Sequence, residues 1–195
     1  GRIIPSFTHN WLARRGPGRL PIPFNRSDVV VIAASAATLA AWVMIADGRV
    51  LSAAFIAAGL LNLWRLSRWA GERTLAEPLV LVLHGAYLFI PLGFMIGGLI
   101  MAVPTLGVPG AAVHAWTAGA VGLMTLAVMT RASLGHTGQP LRATNGITLI
   151  YFLIAASAVL RIAAGFDLAS TALLNLAAAS WIGGYGLFVI IYAPL

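Results

Sequence analysis

The sequence predicts an all-α, polytopic integral membrane protein, a bundle of six transmembrane helices. Of its 195 residues, 60% are hydrophobic and 9% are charged, and the mean hydropathy is +0.93. A soluble domain carries about a quarter charged residues, whereas a surface that faces lipid must be nearly free of charge. The apolar residues also fall into six stretches, each close to the roughly 20 residues that a helix needs to cross a bilayer.

Six apolar stretches are separated by prolines, glycines and charged residues. Ser27 and Asp28 form a good N-cap pair before the first stretch, and Pro78 suits the first turn of the third. Pro91, in the middle of the third stretch, predicts a kink. We expect the spans at residues 29–46, 50–66, 78–103, 111–130, 146–164 and 170–192.

Residues 1–27 differ from the rest of the chain. Arginines alternate there with prolines and glycines, and these helix breakers exclude a continuous helix after Trp11. Phe7, Trp11 and Phe24 among the arginines are typical of a segment at the level of the lipid headgroups. We therefore predict an interfacial loop on the cytoplasmic side over residues 1–27 and a transmembrane bundle over residues 28–195.

The distribution of the twelve arginines predicts the orientation in the membrane. Short connections make the loops alternate between the two sides. Arg49 and Arg161 then lie on one side, and the other ten arginines lie on the side of the N-terminus. Because loops rich in arginine stay in the cytoplasm, we expect both ends of the chain there. The arginine excess is thus attributed to loops and lipid headgroups, and not to nucleic acid.

The residue types restrict the chemistry. The predicted spans contain almost no ionisable groups, so paired carboxylates, a catalytic triad and a phosphate-binding loop are not visible. The absence of cysteine excludes disulfides and thiolate ligands. Four histidines remain, of which His9 is interpreted as a solvated interfacial side chain.

His84 and His114 lie near the starts of the third and fourth spans. A polar ring in lipid is costly and usually faces a partner. The helix face after His84 continues through Leu88, Pro91, Met95, Gly98 and Ala102, and the face after His114 through Ala118, Val121 and Thr125. Small residues beside a histidine leave room for a porphyrin, and imidazole commonly binds haem iron or copper. The alternative, a histidine that hydrogen-bonds across a helix interface or is exposed near the headgroups, stays open.

The two spans are antiparallel, which separates these two histidines in depth. At a rise of 1.5 Å per residue, the difference is roughly 15–20 Å across a core of about 30 Å. One iron therefore cannot bind both His84 and His114, and they serve separate cofactors or pair with histidines from elsewhere.

His136 lies in residues 131–141, which we predict as a loop on the cytoplasmic side. Gly135 and Gly138 allow a tight backbone around its ring. Arg131 is a candidate to contact a haem propionate or a lipid phosphate. His136 is accordingly a candidate for a metal contact or a contact on the propionate side.

Residues 130–141, TRASLGHTGQPL, resemble a signature of the NnrS family. These are bacterial polytopic membrane proteins linked to nitric oxide and nitrosative stress. Residues 1–8, 83–88 and 114–130 are similar to the same family.

The resemblance implies an inner-membrane protein that contains haem b and copper. By position, His84, His114 and His136 match family histidines as cofactor and metal ligands, with Arg131 as electrostatic support. It also implies that this chain is the C-terminal half of a longer bundle, whose N-terminal half would be a partner. Nitric oxide and an electron donor are further expected partners, and the resemblance supplies no reaction.

The leading hypothesis is a haem- and copper-binding protein of the nitric oxide response, and two alternatives stay open. A transporter without a redox cofactor is compatible with Pro91 and the proline and glycine breaks, although the lack of buried carboxylates opposes ion coupling. A purely structural half, with all ligands in the remaining segment, is the other alternative.

Overall fold

A computed structural model of the chain describes residues 2–44, 48–166 and 171–194. This part of the chain forms seven helices, α1 (Ile3–Leu12), α2 (Arg26–Met44), α3 (Arg49–Ser67), α4 (Pro78–Ala102), α5 (Gly110–His136), α6 (Asn145–Ala164) and α7 (Thr171–Tyr192). Helices α2 to α7 are long and apolar enough to cross a membrane. The predicted all-α membrane fold is therefore confirmed. The expected span ends at Ala46 and Ser170 lie outside the described residues.

Helix α4 is the centre of the bundle. It packs against α1, α3, α5 and α6, while α2 packs on α3 and α7 packs on α6. The outer helices α2 and α7 bury only 17% and 11% of their spans. Most of their apolar surface is thus left for lipid, as a membrane-spanning bundle requires.

Glycines let α4 and α5 approach closely, which is a main source of helix association in lipid. Gly93 of α4 lies against the Trp116 ring of α5, and Gly119 of α5 lies against the Phe89 ring of α4. These two contacts show that the helices are antiparallel. The Trp116 indole also donates a hydrogen bond from Nε1 to the Ile90 carbonyl at 3.1 Å.

Replacing Gly93 by alanine is expected to lower the free energy of unfolding by about 1–3 kcal/mol, the usual cost of overpacking a filled interior. The added Cβ would meet the Trp116 ring. Gly85 is the matched control on the same helix, because a Cβ there meets nothing within 4 Å. Unfolding in detergent micelles by titration with dodecyl sulfate measures both variants. Equal stability of Gly93→Ala and Gly85→Ala would contradict the close packing.

A buried charge cluster joins the N-terminal end of α2 to the C-terminal end of α3. Arg65 donates from Nε to Asp28 Oδ1 at 2.7 Å, and Arg68 Nη1 lies 3.7 Å from Asp28 Oδ2. Arg65 also donates from Nη1 to the Tyr87 hydroxyl at 3.1 Å, and Tyr87 donates to Asn62 Oδ1 at 2.6 Å. The cluster therefore connects α2, α3 and α4 through groups that are out of reach of water.

The cap of α2 differs from the predicted pair of Ser27 and Asp28. The Ser27 backbone donates to Asn25 Oδ1 at 3.0 Å, and the Asn25 backbone donates to Asp28 Oδ2 at 2.9 Å. This reciprocal arrangement is a capping box whose first residue is Asn25. Asp28 therefore lies inside the first turn of α2, where its carboxylate accepts from the Asn25 amide and faces Arg65 and Arg68.

Helix α1 lies within residues 1–27 and ends at Leu12, next to Trp11, after which the sequence excluded a continuous helix. Pro5 lies in its first turn, where a missing backbone N–H costs nothing. The buried side chains Ile4, Thr8 and Leu12 recur every four residues on one face, which packs on α4 and on the 3₁₀ turn Gly71–Thr74. This spacing is the helical signal that the prolines obscured.

Helix α5 continues to His136, so the prediction that His136 lies in a loop is wrong. The helix ends in a Schellman motif. Gly138 adopts a positive φ of +70°, and the Gln139 backbone donates to the Leu134 carbonyl at 2.9 Å. Gly138 followed by Pro140 was the available end signal, and it lies beyond His136.

Candidate functional site

A cavity of about 680 Å³ lies between α5, α6 and α7. One wall consists of His114, Ala118, Val121 and Thr125 of α5. This set matches the helix face that the sequence predicted beside His114. The opposite elements contribute side chains that the sequence analysis did not connect with it, namely Ser157 and Arg161 of α6 and Trp181 and Tyr185 of α7.

The wall of α5 has an unusual backbone. Residues Ala115–Gly122, directly after His114, form a π-helical segment. Such segments are rare and are found frequently at functional sites. Gly122 lies at the end of the segment, where an added Cβ would come within 2.8 Å of the Trp181 ring. The wider turn and the small residue together shape the cavity on the side of α5.

His114 and Arg161 form the polar end of this apolar cavity. The Arg161 Nε–H donates to His114 Nε2 at 3.2 Å. Nε2 therefore carries a lone pair that points toward the arginine, and the ring proton is on Nδ1. No carboxylate lies within ion-pair distance of Arg161 among the described residues. The guanidinium therefore lines the cavity without a carboxylate partner in the described part of the chain.

A second cavity of about 170 Å³ shares His114, Arg161 and Leu174 with the first. It is lined further by Val108, Gly110 and Gly165, which lie in or beside the connections at the end of the bundle away from α1. The histidine–arginine pair consequently separates the large cavity from a small one near the membrane surface.

Arg161 is the residue that the sequence analysis missed. It was counted as one of two arginines on the side away from the N-terminus, without a role in the site. The available signal was its position within the apolar residues 146–164. An ionisable side chain inside a span is a candidate functional residue by default.

His84 lies elsewhere, under α1. Thr8 donates from its hydroxyl to the Ile4 carbonyl and contacts His84 Nε2, each at 2.8 Å. Because the hydroxyl hydrogen is already used, Nε2 must donate its own proton to the Thr8 oxygen. His84 Nδ1 is buried without a hydrogen-bond partner and lies against Gly71.

The helix face that follows His84 is filled by α3. Gly98 packs against Ser52 and Ile56, and the Met95 side chain lies against Gly59. The predicted space for a flat ligand along this face is therefore not present. A shallow cleft of about 320 Å³ beside Gly71 and His84 is what remains.

Arg131 and His136 are not part of either cavity of His114. Arg131 places its guanidinium 4.3 Å from the centre of the Phe7 ring, while His136 is exposed at the end of α5. Since Phe7 and Thr8 are neighbours on α1, this helix brings Arg131 and His84 to the same end of the bundle. His114 lies apart from them.

The separation of His84 and His114 follows from the helix pairing. Gly97 meets Ala112 and Gly93 meets Trp116, so His114 is level with Met95 of α4. Eleven residues of α4 separate Met95 from His84, which corresponds to a rise of about 16 Å. One metal ion therefore cannot bind both. In the ranges that the structure describes, no three histidine or carboxylate side chains converge on a metal-sized space.

The fold and the cavity define a class, a polytopic helical membrane protein with an intramembrane cavity whose polar end is a histidine–arginine pair. The family model described as NnrS protein matches residues 1–195, and the chain belongs to the NnrS family. It is thereby a bacterial membrane protein connected with the nitric oxide response. No curated protein and no solved structure matches the chain.

Proposed function

We propose that this protein binds haem b in the cavity between α5, α6 and α7, as an integral membrane component of the nitric oxide response. His114 would hold the haem iron through Nε2, and Arg161 would balance the charge of a propionate. The observation that carries the proposal is the lone pair of His114 Nε2 beside Arg161, which has no carboxylate partner among the described residues, at the end of an apolar cavity.

The cavity fits the chemistry of a porphyrin. Its volume of about 680 Å³ lies within the range of about 300–1,000 Å³ typical of cofactor pockets. The walls are mostly apolar, and Trp181 and Tyr185 add aromatic surface. A haem has the complementary character, since it is flat and apolar with two carboxylates at one edge. Arginine is the residue best suited to hold such a carboxylate.

The residues of the chain have separable roles in this proposal. His114 Nε2 becomes available when Arg161 releases it, and the arginine side chain is long enough to remain beside the ring. The small side chain of Ala118 leaves space along the wall of α5, Gly122 accommodates the Trp181 ring, and the other walls are mostly apolar. If bound there, haem would supply an iron centre able to bind nitric oxide.

The other predicted site residues have a weaker structural basis. His84 stays a candidate ligand because a buried nitrogen without a partner is unusual and calls for an explanation. Arg131 and His136 stay proposals for contacts at the end of the bundle near α1. Copper binding is expected from the family resemblance, and the cavity itself offers a single histidine, so the proposal made from the structure concerns haem.

Absorption spectra of the purified protein, oxidised and reduced with dithionite, test the proposal. We expect a b-type spectrum in the wild type. In His114→Ala the Soret absorbance per protein should fall more than about tenfold, because even changes outside the first ligand shell cost 10–100-fold. His9→Ala is the control at an exposed histidine, and His84→Ala tests the second candidate.

Two results would overturn parts of this assignment. A wild-type protein without a Soret band, even when haem is supplied during expression, would remove haem binding and favour a transporter without a redox cofactor. A normal spectrum in His114→Ala together with a loss in His84→Ala would move the haem to the other end of the bundle.

A further inference from the structure

We propose that the end of the bundle near α1 has a binding site for the headgroup of an anionic phospholipid, formed by Arg14, Arg15 and Arg142. These three arginines line a cavity of about 560 Å³ together with Trp11, Glu77 and Leu141. The proposal does not depend on haem binding, since the histidine–arginine pair lies at the other end of the bundle.

The position of this arginine site is the boundary between membrane and water. Arg14 and Arg15 follow the end of α1. Glu77 caps the start of α4, and Arg142 lies three residues before the start of α6. Two transmembrane helices therefore begin at the site, and a ligand there lies at the level of the phosphate groups of the bilayer.

The charges of the site do not balance within the protein. In the described part of the chain, none of the three arginines has a carboxylate within ion-pair distance. At the same end, Arg19 pairs with Glu72, and Arg73 donates to backbone carbonyls of residues 17 and 19. In the described part of the chain, Arg14, Arg15 and Arg142 are arginines without a carboxylate partner that line one cavity together.

Glu77 offsets only one of the three positive charges, and its carboxylate also accepts hydrogen bonds from the backbone. Its Oε1 accepts from the Leu79 amide at 3.3 Å and from the Ala143 amide at 3.4 Å. These bonds fix the starts of α4 and α6 relative to each other. Three positive charges against one buried carboxylate leave an excess that suits phosphate, which arginine binds through paired hydrogen bonds.

The apolar side chains at the site favour a lipid over a soluble phosphate compound. The Arg15 guanidinium lies 4.5 Å from the centre of the Trp11 ring, an arrangement suited to the interface. Leu141 lines the same cavity and is about half exposed, so it can contact the first part of an acyl chain. Basic pockets between the ends of transmembrane helices bind anionic headgroups in this way.

Native mass spectrometry of the purified protein with added phosphatidylglycerol or phosphatidylcholine tests the site. We expect preferential binding of phosphatidylglycerol in the wild type. The variant Arg14→Gln/Arg15→Gln/Arg142→Gln should lose about a hundredfold in affinity for it, given the contribution of each basic residue near an anionic headgroup. The matched control Arg2→Gln/Arg26→Gln/Arg49→Gln removes the same charge outside the site and should bind normally. Arg142→Gln alone should lose about fivefold.

Three outcomes would overturn the proposal. Equal losses in the triple variant and the matched control would show a general effect of net charge. Equal binding of phosphatidylcholine would show that the anionic group is not recognised. If inorganic phosphate alone raised the melting temperature of the protein as much as phosphatidylglycerol does, the site would be one for free phosphate and not for a lipid.

Discussion

Replacing Asp28 by asparagine is expected to lower the free energy of unfolding by about 3–5 kcal/mol, the usual cost of removing one partner of a buried ion pair. Asp28 is 2% exposed and is the carboxylate that faces both Arg65 and Arg68. Without it, two guanidinium groups stay buried with no opposite charge. Arg65 Nη2 and Arg68 Nη1 already lack hydrogen-bond partners, so the two arginines have more donors than acceptors even before the carboxylate is removed.

The same variant should loosen α2 before it loosens the rest of the bundle. Only 17% of the α2 span is buried, so this helix has few other contacts to hold it. A further hydrogen bond between α2 and α3 runs from the Asn62 side chain to the Ser35 hydroxyl at 2.8 Å. Hydrogen exchange should therefore rise first in α2, while amides of α4 and α6 stay protected.

Two comparisons separate the buried pair from charge in general. Glu72→Gln removes a carboxylate from the exposed pair with Arg19, whose side chains are more than half exposed, and should cost less than about 1 kcal/mol. The triple variant Asp28→Leu/Arg65→Met/Arg68→Met removes all three buried charges of the cluster and should be less destabilised than Asp28→Asn. A change below about 1 kcal/mol in Asp28→Asn would contradict the structural account of the cluster.

The fold was predictable from sequence because hydropathy and helix breakers are local properties. Each of the six spans is a run of apolar residues whose ends are marked by proline, glycine or charge. The exceptions have local causes too. Helix α1 has only three turns, and Pro5 concealed its apolar face, while Gly138 marks an end of α5 that lies beyond His136.

The site was predictable only on one helix. The face that begins at His114 follows from the helical period, and these residues do line the cavity. Arg161, Trp181 and Tyr185 reach it because α6 and α7 present particular faces to α5, which is a property of packing. Packing also decides the case of His84. The helix face that follows it looked equally open in the sequence, and it is filled by α3.

Filling the large cavity from α7 is expected to expel haem while leaving His114 in place. Ala178 lines the cavity on α7 and contributes only a methyl group. In Ala178→Phe, a ring occupies space that the porphyrin needs. The cost of overpacking, about 1–3 kcal/mol, corresponds to roughly a 5- to 150-fold loss of haem affinity. Titration of the protein with haem, followed by the Soret absorbance, measures this loss.

Ala179→Phe is the matched control for the cavity variant. Ala179 is the next residue on α7, is exposed and does not line the cavity, so its phenyl ring should lie in lipid or detergent without effect on the titration. Loss of haem in both variants would indicate damage to α7 as a whole. Full haem binding in Ala178→Phe would exclude the cavity between α5, α6 and α7. The cleft beside His84, where a buried ring nitrogen lacks a partner, would then be the next place to test.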